Sequence, residues 1–441
     1  MKQDALILSI LIMIPVLVLV SQLYFDESLY RILISLILSC YGGLVTYQLI
    51  PVFMPMTEKS GLWGKDLCKK GTDREDVHVP ESLGVVVGTV LVLIIIIMQI
   101  IYGKTQEDIA TFSSACLSIC FMVLLGFVDD VIELRWRYKL VLPALACLPL
   151  VQGYIFQHGS TIIVLPEFLG HLLGSSSTSV SLLGKFVSFF FTVDGEPFGT
   201  YIDLSYCYYI YILMLSIFCT NAINIYAGIN GLEVGQSIII AASILLMNLY
   251  EIYIGGESPY VQNHLFSAVI LLPFLALSLA LFAYNSYPAK CFVGDVYTYT
   301  AGVTFAVVGI FGHFSKSLLL FFLPQVINFI YSLPQLLSFL PFSIPCPRHR
   351  LPRYDAKMKK LIPSIYKEDD TKSDKSEKKL NATEYHPPKY INHTLINLVL
   401  YYIGPCTERK LTFILLFIQI CCSILAFTVR LYYQNKYGQT L

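Results

Sequence analysis

Charged side chains are scarce in this sequence. They make up 14% of its 441 residues, where soluble domains carry roughly 25%. A water-exposed surface cannot be assembled from so few, so most of the outer surface must face lipid. The charges present also balance, 30 basic against 30 acidic, and no net field draws the chain to nucleic acid. Signatures of zinc or disulfide scaffolds are missing as well. None of the 12 cysteines forms a CxxC pair and no HExxH occurs. Residues such as Cys116, Cys120, Cys421 and Cys422 sit inside apolar runs, where a thiol behaves as a small hydrophobe.

What is abundant is apolar length: 56% of residues are hydrophobic. A helix needs about 20 of them in a row to cross a bilayer. Eleven stretches qualify or nearly so: 5–24, 29–54, 83–102, 110–128, 140–156, 207–226, 234–250, 265–284, 297–312, 318–340 and 411–432. The first follows Lys2 but has no small-x-small cleavage site before Asp26, so it reads as a retained anchor rather than a signal peptide. The short run 395–403 reads as a re-entrant or interfacial piece. The expected fold is therefore all-α, a polytopic transmembrane helical bundle of 10–11 spans with active-site loops on one face. Its organisation would be an additional N-terminal anchor (1–28), a transmembrane catalytic core (29–340), a loop (341–394) and a C-terminal membrane segment (395–441).

The loops 55–82, 129–139, 227–233, 285–296 and 341–394 then share one membrane face. They hold Lys59, Lys65, Lys69, Lys70, Arg74, Arg135, Arg137, Lys139, Lys290, Arg348, Arg350 and Arg353, against Lys104, Lys185 and Lys316 opposite. Basic loops stay in the cytosol, so the sequons at Asn381 and Asn392 are expected to remain unglycosylated. The long opposite loop, 157–206, is rich in Ser and Gly and offers little chemistry. The run KEDDTKSDKSEKK in 341–394 has the composition of a disordered, solvated segment.

Polar groups at membrane depth are costly and mark function by default. Four such clusters fall on the basic face. In GFVDDVIELRWRYKL, Asp129 and Asp130 end a span; paired carboxylates there can hold Mg²⁺ or act as base or nucleophile. The plainer alternative is a helix end with a basic cuff. In NAINIYAGINGLEVGQS, Asn221 and Asn224 share a helix face, and Asn230 lies beside Gly228 and Gly231, whose backbone a ligand can approach closely. Interhelical glue is the alternative. In AKCFVGDVYTYTAG, Asp295 opens a span and is either its N-cap or a ligand, and Phe292 could stack a base. In CPRHRLPRY, Arg348 and Arg350 flank His349; guanidinium forks match phosphate oxygens, though a basic cuff would look similar.

In this order the four motifs resemble the polyprenyl-phosphate N-acetylhexosamine-1-phosphate transferase superfamily, over about 49–430 of the chain except the charged disordered loop, and most of all in its eukaryotic branch. The resemblance implies a Mg²⁺-dependent glycosyl-1-phosphate transferase of the endoplasmic reticulum membrane, multi-pass, with its active site facing the cytosol. It would move GlcNAc-1-phosphate from UDP-GlcNAc to dolichyl phosphate, giving GlcNAc-PP-dolichol and UMP, and it allows a homodimer. It implies Asn224 and Asp295 as Mg²⁺ ligands, and Lys139 with Asp129 and Asp130 as catalytic residues, the role of the acidic doublet staying open. Donor contacts would be Lys65, Asp66, Leu67, Glu81, Asn230, Phe292, Arg348, His349 and Arg350. The acceptor would meet Lys139 and the segment Ile217, Phe218, Cys219, Thr220, Asn221, Ala222, Ile223, Asn224 and Ile225. Two departures stand out: Glu133 replaces a common Asn, and the first loop is long between Leu67 and Glu81. Another UDP-sugar or polyprenyl acceptor would use the same chemistry. A nucleotide-sugar transporter would show internal repeats and polar groups at mid-membrane, whereas here the polar clusters gather on one face and no repeat is seen.

Overall fold

A computed structural model of the protein describes residues 27–135, 137–165, 191–196, 199–256, 258, 260–337, 343–344, 346–347, 350–366 and 391–437. The anchor expected over 5–24, Arg348, His349, Asn381 and the charged middle of the 341–394 loop lie outside these residues.

Each of the ten remaining apolar stretches is built on helix over its described residues. Within a bilayer each backbone N–H and C=O must be satisfied internally, and a helix does so within one segment. The helices are α1 (Glu27–Lys59), α2 (Gly84–Tyr102), α3 (Gln106–Ile132), α4 (Tyr138–Ala146), α5 (Leu148–Phe156), α6 (Tyr206–Ile225), α7 (Leu232–Gly255), α8 (Tyr260–Asn285), α9 (Gly294–Phe311), α10 (Ser315–Phe321), α11 (Leu323–Leu336), α12 (Leu395–Ile403) and α13 (Glu408–Tyr437). Among the described residues, eight spans are long and apolar enough to cross a membrane, one of them α4 and α5 taken together. The pair α10–α11, bent by 76°, is a broken ninth span or a re-entrant loop. Pro149 and Pro324 stand in the first turns of α5 and α11, where a missing N–H ends the preceding helix at little cost. Helix α12 has 9 residues, too few to span.

Helix α9 is the axis of the bundle. Every residue from Val296 to Phe311 is buried, against α2, α3, α6 and α8. A helix apolar on all sides belongs inside, and membrane helices close on one another through small residues. A Cβ on Gly126 of α3 would stand 2.5 Å from Val296 Cα, and one on Gly302 would stand 2.3 Å from Thr220 Cα in α6. Helix α13 is built into the same bundle. Gln325 Nε2 in α11 donates to Gln236 Oε1 of α7 at 2.6 Å and to Gln419 Oε1 of α13 at 2.8 Å.

The helical reading passed over short strands. The 157–206 loop carries an antiparallel sheet of β3 (Ile162–Leu165), β4 (Thr192–Glu196) and β5 (Gly199–Asp203) in the order β3-β5-β4. Its β-branched Ile162 and Ile163 suit a pleated surface, in a run too short for a span. Two hairpins lie at the opposite end: β1 (Trp63–Lys65) with β2 (His78–Pro80), and β6 (Arg353–Asp355) with β7 (Lys360–Ile362). Near the second, Asn392 is buried and its Nδ2 donates to Ser364 Oγ at 2.8 Å.

Replacing Gly126 by Ala sets two effects against each other. Helix propensity favours Ala by about 1 kcal/mol, while overpacking against a backbone atom costs about 1–3 kcal/mol. Because Val296 Cα belongs to the buried axis, Gly126→Ala is expected to lower the melting temperature in detergent. An unchanged or raised value would show that α3 and α9 can separate freely.

Candidate active site

Segments from five loops meet at one end of the bundle. Helix α3 ends on the acidic doublet and turns at Glu133, which takes the left-handed conformation with φ 47°. Asp129 is 2% exposed. Its Oδ1 accepts from Leu134 N–H at 2.9 Å, and its Oδ2 from Tyr299 OH at 2.9 Å and Lys139 Nζ at 2.8 Å. Asp130 reaches across to α9. Its Oδ1 accepts from Asp295 N–H at 2.6 Å and its Oδ2 faces Val296 N–H at 3.4 Å. The cap of α9 is therefore supplied by Asp130, from another helix. Only glycine fits beside it: Gly294 has φ +73°, and a Cβ there would stand 2.2 Å from Asp130 Oδ2.

Relieved of capping, Asp295 presents its carboxylate to other groups. Oδ1 accepts from Asn224 Nδ2 at 2.7 Å and Oδ2 from Lys139 Nζ at 2.8 Å. Asn221, one turn earlier on α6, donates to Ile217 O at 2.9 Å and to Lys139 O at 3.3 Å. The result is a cavity of about 410 Å³ lined by Glu81, Asp129, Asp130, Glu133, Leu134, Lys139 and Asp295. Five of these are carboxylates and one is an ammonium. Burial, then the nearby charges of Asp295 and Glu133, raise Glu81 above the usual carboxylate range. Hard oxygens in excess of positive charge are the donor set of Mg²⁺, which takes one or two carboxylates and completes its shell with water and substrate oxygens.

The expected donor residues that are described do not form one group. The space over Gly64 is bounded by Glu81 Oε2 and the Phe292 ring, each 3.3 Å from where a Cβ would stand. Asp66 caps the 3₁₀ turn Leu67–Lys69 through Cys68 N–H at 3.0 Å and accepts from Asn230 Nδ2 at 3.1 Å. Leu67 is exposed, and Lys65 turns away to pair with Asp76 at 2.6 Å. Arg350 lies outside the acidic cavity's lining. Its neighbour Leu351 covers Gly228, where a Cβ would meet Leu351 Cδ2 at 2.1 Å. Burial pulls the Arg350 guanidinium below its usual pKa, and its buried Nη1 has no hydrogen-bond partner among the described residues. A larger cavity of about 520 Å³ beside Asn230 has no acidic residue in its lining, and Phe282, Phe413 and Leu416 form its apolar wall.

The segment expected at the acceptor has two faces. Cys219, Thr220, Ala222 and Ile223 are buried in the bundle, and Ile217, Phe218, Asn221, Asn224 and Ile225 keep partial exposure. Only the second set can reach a lipid. Sequence reasoning missed Tyr299, Lys69 and Glu408. Tyr299 had a signal, since it stands four residues after Asp295 on the same helix face; the other two had none.

A family model described as glycosyl transferase family 4 matches residues 112–313. The chain is 41% identical over 417 residues to the UDP-N-acetylglucosamine–dolichyl-phosphate N-acetylglucosaminephosphotransferase of Dictyostelium discoideum, over 91% of this chain and 89% of that one. It is 37% identical to the protein of the same name from Saccharomyces cerevisiae, with 87% and 88% covered. It is also 29% identical to the phospho-N-acetylmuramoyl-pentapeptide-transferase of Streptococcus mutans, over 44% of this chain and 49% of that one.

The capping role of Asp130 separates two substitutions. Asn keeps an acceptor for Asp295 N–H and should preserve stability, whereas Ala should cost about 0.5–2 kcal/mol. Melting curves of Asp130→Asn and Asp130→Ala check this, and equal losses would reject the cap.

Proposed function

The chain belongs to glycosyl transferase family 4, in its dolichyl-phosphate N-acetylglucosaminephosphotransferase branch, and from this we infer that it transfers N-acetylglucosamine 1-phosphate from UDP-GlcNAc to dolichyl phosphate. An oxygen of the acceptor phosphate bonds to the β-phosphorus of the donor. The bond from that phosphorus to the bridging oxygen breaks, and UMP leaves with the electron pair. A phosphate monoester is already ionised near pH 7, its second pKa being about 6, so no base is required. The task is to bring two anions together and hold them in line.

The observation that carries this reading is the acidic cavity with Lys139 at its centre. Lys139 spends two of its three N–H donors on Asp129 and Asp295, which leaves one for an incoming phosphate. Asp129 and Asp130 are engaged by N–H and O–H donors, which supports a holding role for the doublet. Two polyanionic substrates cannot share a cavity lined by five carboxylates and one ammonium without added positive charge. Asp295, with Asn224, would hold Mg²⁺, whose charge neutralises the pyrophosphate when bound. Asn230, Asp66 and Phe292 would receive the nucleoside, and Arg350, whose Nη1 has no partner among the described residues, would offer a guanidinium N–H to the donor's phosphates. The excess of Lys and Arg in these loops supports a site on the cytosolic face of the membrane, which we take to be that of the endoplasmic reticulum.

A transfer assay with purified protein, dolichyl phosphate and either UDP-GlcNAc or UDP-GalNAc tests the reading. Equimolar GlcNAc-PP-dolichol and UMP are expected from UDP-GlcNAc, lost with EDTA and restored by Mg²⁺. Product from UDP-GalNAc alone would reassign the donor. Asp295→Asn keeps the shape but removes the charge. It is expected to lower kcat about a thousandfold or more with the fold intact, and near-wild-type turnover at limiting Mg²⁺ would remove Asp295 from the metal site.

A further inference from the structure

Outside the acidic cavity, four residues from three segments close a ring. Glu408 opens α13 and is 5% exposed. Its Oε1 accepts from Asn230 N–H at 2.9 Å, and its Oε2 pairs with the Lys69 ammonium. Lys69 also meets Asp66 Oδ2 at 3.2 Å, and the same oxygen accepts from Asn230 Nδ2 at 3.1 Å. The Tyr287 ring covers Lys69 at 4.6 Å. Asn230 is thus gripped through its backbone by Glu408 and through its side chain by Asp66, with Lys69 joining the two carboxylates.

The ligand atoms of Asp66, Cys68 and Glu408 lie within 4.8 Å of one another, a spacing that would suit a metal ion. Here the Lys69 ammonium already supplies the cation to both carboxylates. Burial, then the charges of Glu408 and Asp66, push the Cys68 thiol well above its usual pKa, and a protonated thiol is a poor ligand. The ring therefore serves geometry. A carboxylate only accepts hydrogen bonds, so Asn230 must turn its amide nitrogen to Asp66. Its carbonyl oxygen is the atom with no partner among the described residues.

We propose that Lys69 and Glu408 are positioning residues for the donor, locking Asp66 so that Asn230 presents an acceptor oxygen to the nucleobase. Such an oxygen matches the N3–H of uracil and rejects cytosine, whose N3 carries no hydrogen. The proposal rests on the reading that the donor is a uridine diphosphate sugar.

The test is charge balance. Wild type carries two negative charges and one positive in the ring; Lys69→Met leaves two facing carboxylates, and adding Glu408→Gln restores the net charge while keeping an acceptor for Asn230 N–H. Lys69→Met is expected to raise KM for UDP-GlcNAc about tenfold or more. It should weaken the preference for UMP over CMP as inhibitor, with kcat and the KM for dolichyl phosphate little changed. The double variant should return to within about threefold of wild type, the signature of coupled residues. A double variant as impaired as Lys69→Met would overturn the proposal. So would a parallel loss of kcat, both KM values and melting temperature, which marks a mere strut. A wild-type protein that transfers nothing from UDP-GlcNAc is a failure of the donor reading instead. The ring is then judged by the melting temperatures of the same variants, and additive losses there reject it.

Discussion

The ammonium of Lys139, held 2.8 Å from both Asp129 and Asp295, is the contact on which the arrangement of this end of the molecule depends. An ion at the edge of a hydrocarbon layer is stable only with a partner and further hydrogen bonds. Asp129 closes α3, Lys139 lies in the first turn of α4, and Asp295 lies in the first turn of α9. Satisfying one charge therefore brings three helix ends to a common point. Tyr299 and Asn224 occupy remaining lone pairs of the two carboxylates, and Asp130 fixes where α9 begins. Breaking any one of these leaves a charge or donor stranded in a place where water is scarce, which explains why so many polar contacts concentrate in so small a volume.

Those contacts need the helices closer than side chains ordinarily allow. Gly126 lies three residues before Asp129, on the same side of α3, and its bare backbone rests on Val296, the residue after Asp295. On the far flank Gly302 lets α9 settle on Thr220 of α6, one turn from Asn224. The packing of the axis helix and the geometry of the cavity are thus one problem. The glycines bring the backbones together, and the polar side chains one turn away meet as a consequence.

This division explains what could be read from the chain. Long apolar runs announce helices whatever their partners, and the described parts of ten such runs are built on helix. Asp129, Asn224 and Asp295 were visible because a polar residue in an apolar run has few innocent explanations. The capping of α9 by Asp130 was not visible, because local sequence gives no sign that a cap comes from another helix. The two faces of 217–225 were also hidden. In a membrane both the lipid-facing and core-facing sides are apolar, so the periodic signal that separates them in a soluble helix disappears. The link from Lys69 to Glu408 spans 339 positions in the chain, and nothing near either residue indicates it.

The two polar assemblies differ in how their charge is completed. In the ring, two carboxylates share the internal ammonium of Lys69, which burial would discharge but which Glu408 and Asp66 hold ionised. That assembly is nearly balanced before any ligand arrives, as a fixed support must be. The cavity around Lys139 has five carboxylates to one ammonium, and Glu81 within it is already driven toward its neutral form. A site left short of positive charge gains most from a ligand that brings its own cation, and it resists an anion that comes alone. The proposed chemistry needs that asymmetry. On that proposal each substrate would be a polyanion, which an acidic cavity would admit only together with a metal, so that neutralisation would be tied to correct binding.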